Sequence, residues 1–286
     1  MIDLQCHSTV SDGELPPEEV VGHAAAAGVT TMSLTDHDAI DGIAIAVQTG
    51  RELGIECIPA IEMSCVHAGA DDLHMLGYGI EPSLLANACS RAQDERRHRA
   101  AELISNLNAV GVEVTLEDAI ARAGDASSVG RPHIAKAAGV QPEGMGEFFE
   151  KYLVPGAPTF VSRRWPAATE AIKLIHSAGG AAVIAHPFWD ISDPAEVGTL
   201  IEDLVAAGVD GIESYYPVHD REQTRFLLDR CAEHDLCATA SADFHGPGHK
   251  HFSRFGAYET FGLGEPELPR RRGALSQRSR QVTRGA

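Results

Sequence analysis

Apolar positions along the chain fall into two alternating rhythms. Short runs rich in β-branched and apolar residues, at 2–5, 31–35, 56–61 and 73–78, are separated by stretches at 16–27 and 40–53 where apolar residues recur every three or four positions. Such a sequence predicts strands interleaved with amphipathic helices. The first helical stretch opens on Pro16 and Pro17 and stops before Gly28, in keeping with the preference for proline at a helix start and glycine past its end. After a long interval the rhythm resumes, with strands predicted at 181–185, 211–214 and 236–240 and helices at 194–206 and 221–234. Seven strands, each parallel and each returning through a helix, predict an α/β fold.

The interval has its own character. Between 81 and 162 no β-branched run occurs, while 84–110 and 116–123 carry apolar residues at helical spacing among charges such as Asp94, Glu95, Arg96 and Arg97. A helical insertion over 81–162 is expected, sitting over one face as a lid or specificity wall, with 1–80 and 163–265 forming the main domain. The last stretch, 266–286, is Arg-rich and poor in apolar residues, so it is expected to be disordered, with RNA contact as an alternative use.

Composition narrows the classes. The 286 residues are 44% hydrophobic and 22% charged, an ordinary globular balance, and no apolar run approaches the length of a membrane span. No basic segment precedes an apolar stretch at the N-terminus, so a cytoplasmic enzyme with no membrane partner is expected. Six cysteines without a CxxC pair read as free thiols. The formal charge of −18 argues against long duplex nucleic acid, whose binding needs a broad basic face. A small phosphate ester drawn into a locally positive pocket remains compatible.

Potential ligands cluster where the predicted strands end. Gln5 and His7 follow the first strand, Asp36 and His37 the second, and Glu62 the third; His74 lies in the fourth, His186 and Glu213 end the fifth and sixth, and Asp243 with His245 follow the seventh. Asp12 lies in the first loop. In a closed βα barrel these ends converge on one mouth. Singly, a strand histidine is more often a packed core residue, and Asp36 or Asp38 ahead of a helix is more often an N-cap. Together they point to a metal site, whereas His23, His98, His176 and His234, on helices, read as structural or solvated.

The segments DLQCHSTVSDG (3–13), LTDHDAIDG (34–42), IPAIEMS (58–64), LHMLGYG (73–79), VIAHP (183–187) and SADFH (241–245) resemble, in order, the motifs of the PHP (polymerase and histidinol phosphatase) superfamily. The resemblance implies a distorted (β/α)7 barrel with an inserted helical subdomain and two or three divalent ions at its mouth. It further implies one ion on His7, Glu62 and Asp243, a second on Glu62, His74 and His186, and a third on Asp12, His37 and His245. The usual first motif is His-x-His, and Gln5 stands where the first His belongs; its carbonyl oxygen is a candidate ligand. That harder donor suits Mn²⁺ or Mg²⁺ better than Zn²⁺, so Mn²⁺ is expected first, with Fe²⁺, Zn²⁺ or Mg²⁺ as alternatives.

The chemistry implied is metal-dependent phosphoester hydrolysis, in which a metal-bound hydroxide held by Glu62, Asp243 and His186 attacks phosphorus in line. Three divalent ions outweigh the carboxylates of Asp12, Glu62 and Asp243, leaving a locally positive site. Cys6 reads as a packing residue rather than a nucleophile. Arg131, His133, Arg163 and Arg164 are candidates for gripping a second phosphate, against the plainer reading of surface charge. Trp189 and His219 are candidates to line the pocket. The expected substrate is a phosphorylated nucleotide, either a 3′,5′-bisphosphonucleoside or the end of a short RNA or DNA oligonucleotide. A phosphomonoesterase of a small metabolite such as histidinol phosphate is the alternative, and a non-catalytic nucleotide- or protein-binding module is a third reading.

Overall fold

The computed structural model of the protein describes residues 1–68, 70–124, 128–189 and 191–272. Three short parallel strands begin the chain: β1 (Ile2–Asp3), β2 (Thr31–Met32) and β3 (Glu56–Cys57), paired in that order. Helices α1 (Pro17–Ala26) and α2 (Ile43–Leu53) make the two returns. Each stops at a glycine in the left-handed region, Gly28 with φ 81° and Gly54 with φ 75°, where a side chain would be strained.

A second sheet has the order β4 (Ala60–His67), β5 (Ala70–Tyr78), β6 (Ala181–Ile184), β7 (Gly211–Tyr215) and β8 (Cys237–Ala240). Two sequence expectations are corrected here. The run at 56–61 is two strands, because Pro59 has no N–H to donate to a ladder and the chain changes sheets at that point. Nor are all strands parallel: β5 is antiparallel to both β4 and β6. Only residues 68 and 69 separate β4 from β5, far too few for a crossover, so a hairpin is the sole solution.

The expected seven-stranded closed barrel is not seen among the described residues: eight strands form these two sheets, and isolated contacts run between them. The Leu4 amide donates to the Ala240 carbonyl at 3.0 Å, and parallel bridges join Cys6 to Phe244 and His37 to Glu62.

Helices α7 (Ala168–Ser177), α8 (Pro194–Ala206) and α9 (Arg221–His234) bury one face each against the second sheet. Asp193 and Asp220 cap α8 and α9 by accepting backbone N–H groups. Ile172, Ile175, Val197, Ile201, Leu204 and Leu227 are fully buried, each contributing about 1.5–3 kcal/mol. Packing is tight enough that a Cβ on Gly77 would lie 2.9 Å from Ile175 Cγ1. Helix α7 is absent from the predicted alternation.

Between β5 and α7 lie α3 (Ala86–Ala109), α4 (Leu116–Ala123), α5 (Arg131–Ala137) and α6 (Met145–Phe148), the last running on into a π-helical turn. Two helices are expected there, and four α-helices are found among the described residues. Leu103, Ile104, Leu107, Ile134 and Leu153 give the segment its own apolar cluster. Of the Arg-rich stretch 266–286, Glu267 donates its amide to Ala238 O at 2.8 Å and Arg272 donates its amide to Asp210 Oδ1 at 2.7 Å. The remainder, 273–286, lies outside the described residues.

Candidate metal centre

Strand alternation places Asp3, Gln5 and His7 on one side of the first strand and its extension, all buried. A sharp turn follows, since a Cβ on Gly13 would collide with the His7 carbonyl. That turn returns Asp12 toward the mouth. Three of the five non-glycine residues with left-handed backbone among those described are also here: Asp38 (φ 52°), His186 (φ 23°) and Asp243 (φ 52°). Each costs about 1–3 kcal/mol and persists only because its surroundings over-determine it.

Glu62 occupies the middle. Its Oε1 lies 2.9 Å from His74 Nδ1 and 3.2 Å from His186 Nε2; its Oε2 lies 3.0 Å from His7 Nε2 and 3.5 Å from His37 Nδ1. His7 Nε2 is also 3.1 Å from Asp243 Oδ1. Asp12 stands 3.7 Å from His7 and His245 and 3.8 Å from His37. Three sets therefore hold ligand atoms mutually within 4.8 Å: His7, Glu62 and Asp243; His37, Glu62 and His74; and His7, Asp12, His37 and His245.

The donor atoms fit divalent cations. His7 Nε2, His37 Nδ1, His74 Nδ1 and Asp243 Oδ1 are buried with no hydrogen-bond partner among the described residues, a state that native interiors avoid. A mixed set of imidazole nitrogens and carboxylate oxygens is what first-row divalent ions bind.

Electrostatics follow the same geometry. Burial alone would raise the Glu62 carboxyl, but the imidazoles of His37 and His74 hold it well below the usual carboxylate range. His7 would fall through burial, yet the carboxylates of Asp243 and Glu62 beside it raise it well above the normal imidazole value. His186 is pushed up to about 9, burial being outweighed by Glu62. His37 moves the other way, to about 3, because burial dominates.

The surrounding polar groups orient this set. Gln5 donates from its amide nitrogen to Glu62 Oε2 at 3.0 Å, so the nitrogen, and not the carbonyl oxygen expected to ligate, faces the carboxylate. Asp36 accepts from Ser8 N, Ser8 Oγ and Ser11 Oγ at 2.7–2.8 Å and so fixes the loop that carries Asp12. Glu213 accepts from His186 N at 2.9 Å and from Ser241 Oγ at 2.6 Å. Tyr216, which sequence reasoning missed, donates its hydroxyl to Asp243 Oδ2 at 2.7 Å. Cys6 is packed away with its thiol 3.2 Å from Ser33 O, and burial pushes that thiol up.

A second buried polar cluster adjoins the first through Asp38, next to His37, and Asp72, two residues before His74. Asp38 accepts from Arg96 Nε at 2.6 Å, and Arg96 also donates to Ser64 Oγ at 2.6 Å. Arg163 lies 3.9 Å from Asp38 and 3.6 Å from Asp72; Arg99 is 3.9 Å from Asp72, and Arg131 pairs directly with Asp72. Four guanidiniums thus surround two carboxylates, and Arg99 Nη2 and Arg163 Nε have no hydrogen-bond partner among the described residues. His133 is buried and accepts from Gly130 N at 3.0 Å. Arg164 is apart from these, exposed beside Glu102 at 3.2 Å. Arg96 and Arg99 were not among the expected site residues, because on a charged helix nothing in the pattern separates a buried arginine from a solvated one.

Comparison with known proteins identifies a family. The profile of the PHP domain family matches residues 3–126. A 3′,5′-nucleoside bisphosphate phosphatase of Chromobacterium violaceum is 34% identical over 252 residues, covering 86% of this chain and 88% of the relative. A 5′-3′ exoribonuclease of Haemophilus influenzae is 36% identical over 251 residues, covering 86% and 90%. Among solved structures, a protein of Bifidobacterium adolescentis described as a metal-dependent phosphoesterase superposes with a TM-score of 0.79 at 26% identity, over 90% of this chain and 91% of its own.

Proposed function

The chain belongs to the PHP-domain family of metal-dependent phosphoesterases, and from that membership we propose that it hydrolyses a phosphate ester of a nucleotide carrying two phosphates, or of the 5′ end of a short oligonucleotide. The observation that carries this reading is the pairing of two buried clusters with opposite deficits. One gathers the carboxylates of Asp12, Glu62 and Asp243 with imidazoles as their partners and, once those imidazoles are neutral, is short of cations. The other gathers four guanidiniums around two carboxylates and lacks anions. Divalent ions answer the first deficit and a substrate phosphate the second, which reconciles phosphate binding with a chain charge of −18.

In this reading His7, Glu62 and Asp243 hold one ion, Glu62, His74 and His186 a second, and Asp12, His37 and His245 a third, with Mn²⁺ as the preferred metal. The bound ions supply Lewis acidity toward the phosphoryl oxygens and the attacking water. Glu62 would be shared between two of these sites, Gln5 orients it through the bond to Oε2, and Tyr216 holds the Asp243 oxygen that is turned away from His7. Arg131, His133 and Arg163 bind the second phosphate, for which a planar guanidinium is suited by its paired donors. The two sheets, linked at Cys6–Phe244 and His37–Glu62, are taken as halves of one distorted barrel. Among the described residues no helix is long and apolar enough to cross a membrane, and six unpaired cysteines favour a reducing, cytoplasmic setting. The names of the relatives in C. violaceum and H. influenzae support the nucleotide substrate.

The test is turnover with Mn²⁺ of phosphomonoesters, bisphosphonucleosides and short RNA. A kcat/KM for bisphosphonucleosides about tenfold or more above that for simple monoesters is expected, one added charge-assisted phosphate contact being worth roughly 1.5–3 kcal/mol. Arg131→Ala and Arg163→Ala should remove the preference. Unchanged bisphosphonucleoside turnover in both variants overturns the two-phosphate reading. Less than one equivalent of metal and no phosphate release overturns the enzyme.

A further inference from the structure

The turn that lifts His186 into the mouth sends the next two aromatic residues in opposite directions. Phe188 is buried, its ring 5.8 Å from those of Phe226 and His219. Trp189, whose amide donates to His186 O at 2.8 Å, faces outward and is 46% exposed. An indole is a large apolar surface, and leaving half of it in water forgoes much of the stabilisation that burial would give.

Trp189 is nonetheless anchored. Its ring lies 5.3 Å from Phe252 and 6.4 Å, edge-on, from Tyr216. Both supporting rings border the metal centre: Tyr216 is 5.2 Å from the His186 ring and hydrogen-bonds Asp243, and Phe252 is 5.7 Å from the His245 ring. Phe252 is itself backed by His249, stacked at 5.2 Å with 14° between planes. One ring therefore separates the exposed indole from proposed ligands on two sides of the mouth. A rigid, solvent-facing aromatic at that distance is placed for the planar part of a molecule whose phosphate sits on the ions.

We propose that Trp189 is a stacking platform for the nucleobase of the substrate, setting a preference for base-bearing over base-free phosphate esters. This rests on the nucleotide reading above and sharpens it. Stacking uses the π-face that every base has, so the platform should accept all four bases alike and read no sequence. An indole offers one N–H donor and no acceptor, too little to distinguish base edges.

The test compares 3′,5′-bisphosphonucleosides of the four bases with base-free ribose 3,5-bisphosphate, using wild type, Trp189→Ala and Trp189→Phe. In Trp189→Ala the ratio of KM for base-bearing to base-free substrate should rise about tenfold or more for every base. Trp189→Phe should restore most of it. In parallel, added nucleoside monophosphate should quench indole emission in the Mn²⁺-loaded wild type and not in Trp189→Phe, where Trp165 alone emits. Nucleotide turnover with an unchanged KM ratio and no quenching overturns the platform and leaves the nucleotide reading standing. Quenching confined to the wild type, without turnover of any nucleotide, overturns that reading and with it the platform's role toward a substrate. A KM change equal for base-bearing and base-free substrates also overturns the platform.

Discussion

Two buried polar clusters lie side by side in this molecule and are built on opposite principles. Around Glu62, carboxylates meet imidazoles, whose charge depends on pH and which leave lone pairs available to an ion. Around Asp38 and Asp72, carboxylates meet guanidiniums, which carry fixed charge and have no lone pair to offer. The first arrangement keeps unpartnered atoms that a cation can take; the second is cross-paired within the chain and keeps N–H donors, on Arg99 Nη2 and Arg163 Nε, that an anion can take. Burial alone would not separate the two, but the chemical type of the counterion does.

The sharpest way to break the contrast is Glu62→Gln, which keeps the shape and removes the charge shared by the proposed ion sites. Activity should fall by roughly 10⁴-fold, since the ions supply several kcal/mol of transition-state stabilisation, and metal analysis should show fewer than two ions per chain. Full occupancy with normal turnover would show that Glu62 is not the bridge. Arg96→Ala strikes the other cluster and leaves Asp38 buried with a weaker partner. A loss of about 3–5 kcal/mol in chemical denaturation is expected even in chelator-treated protein, where Glu62→Gln has no ion to lose.

A smaller effect tests the titratable character of the first cluster. With its imidazole raised to about 9, His186 in chelator-treated protein holds a proton at pH 7, and an ion must displace it. Ion uptake should therefore release protons below pH 9, with affinity gaining up to about tenfold per pH unit as pH rises toward that value. Calorimetric titration in buffers of different ionisation enthalpy measures the release, and pH-independent uptake would contradict it. The smallest effect belongs to Arg164→Ala, at less than about 1 kcal/mol of stability, because its pair with Glu102 is exposed. A thermal melt suffices to check it, and a large change there would erase the distinction between Arg164 and its buried neighbours.

The sequence carries the proposed metal ligands more plainly than their supports. Ligand types at strand ends are visible in one dimension, and His7, Asp12, His37, Glu62, His74, His186, Asp243 and His245 do come together. Helices at 194–206 and 221–234 were equally plain, since Asp193 and Asp220 mark their starts. Strand direction was not, because hydrophobic alternation is the same for a strand run either way; only the two-residue link after His67 betrays the reversal of β5. Helices α5 and α6, of seven and four residues, are too short to show an amphipathic period, whereas α7 buries Ala168, Ala171, Ile172 and Ile175 at helical spacing and was legible in the sequence though not read from it. Arg96 and Arg99 look like any charged helix face until Asp38 and Asp72 are brought to them by the fold.

The reversal of β5 has a consequence for how this architecture varies. Because β5 runs against its neighbours, it carries the chain away from the mouth, with Tyr78 paired to Ala181 at the far edge. Helix α3, 24 residues and so roughly 36 Å long, spans the height of the sheet again and delivers Arg96 to Asp38 partway along. Its first half is thereby tied to a fixed distance, as a strut is by the storey it supports. Beyond Val110 the chain is tied back where Arg131 pairs with Asp72 and where Arg163 lies beside Asp38 and Asp72, so changes of length between those anchors need not disturb the cluster around Glu62.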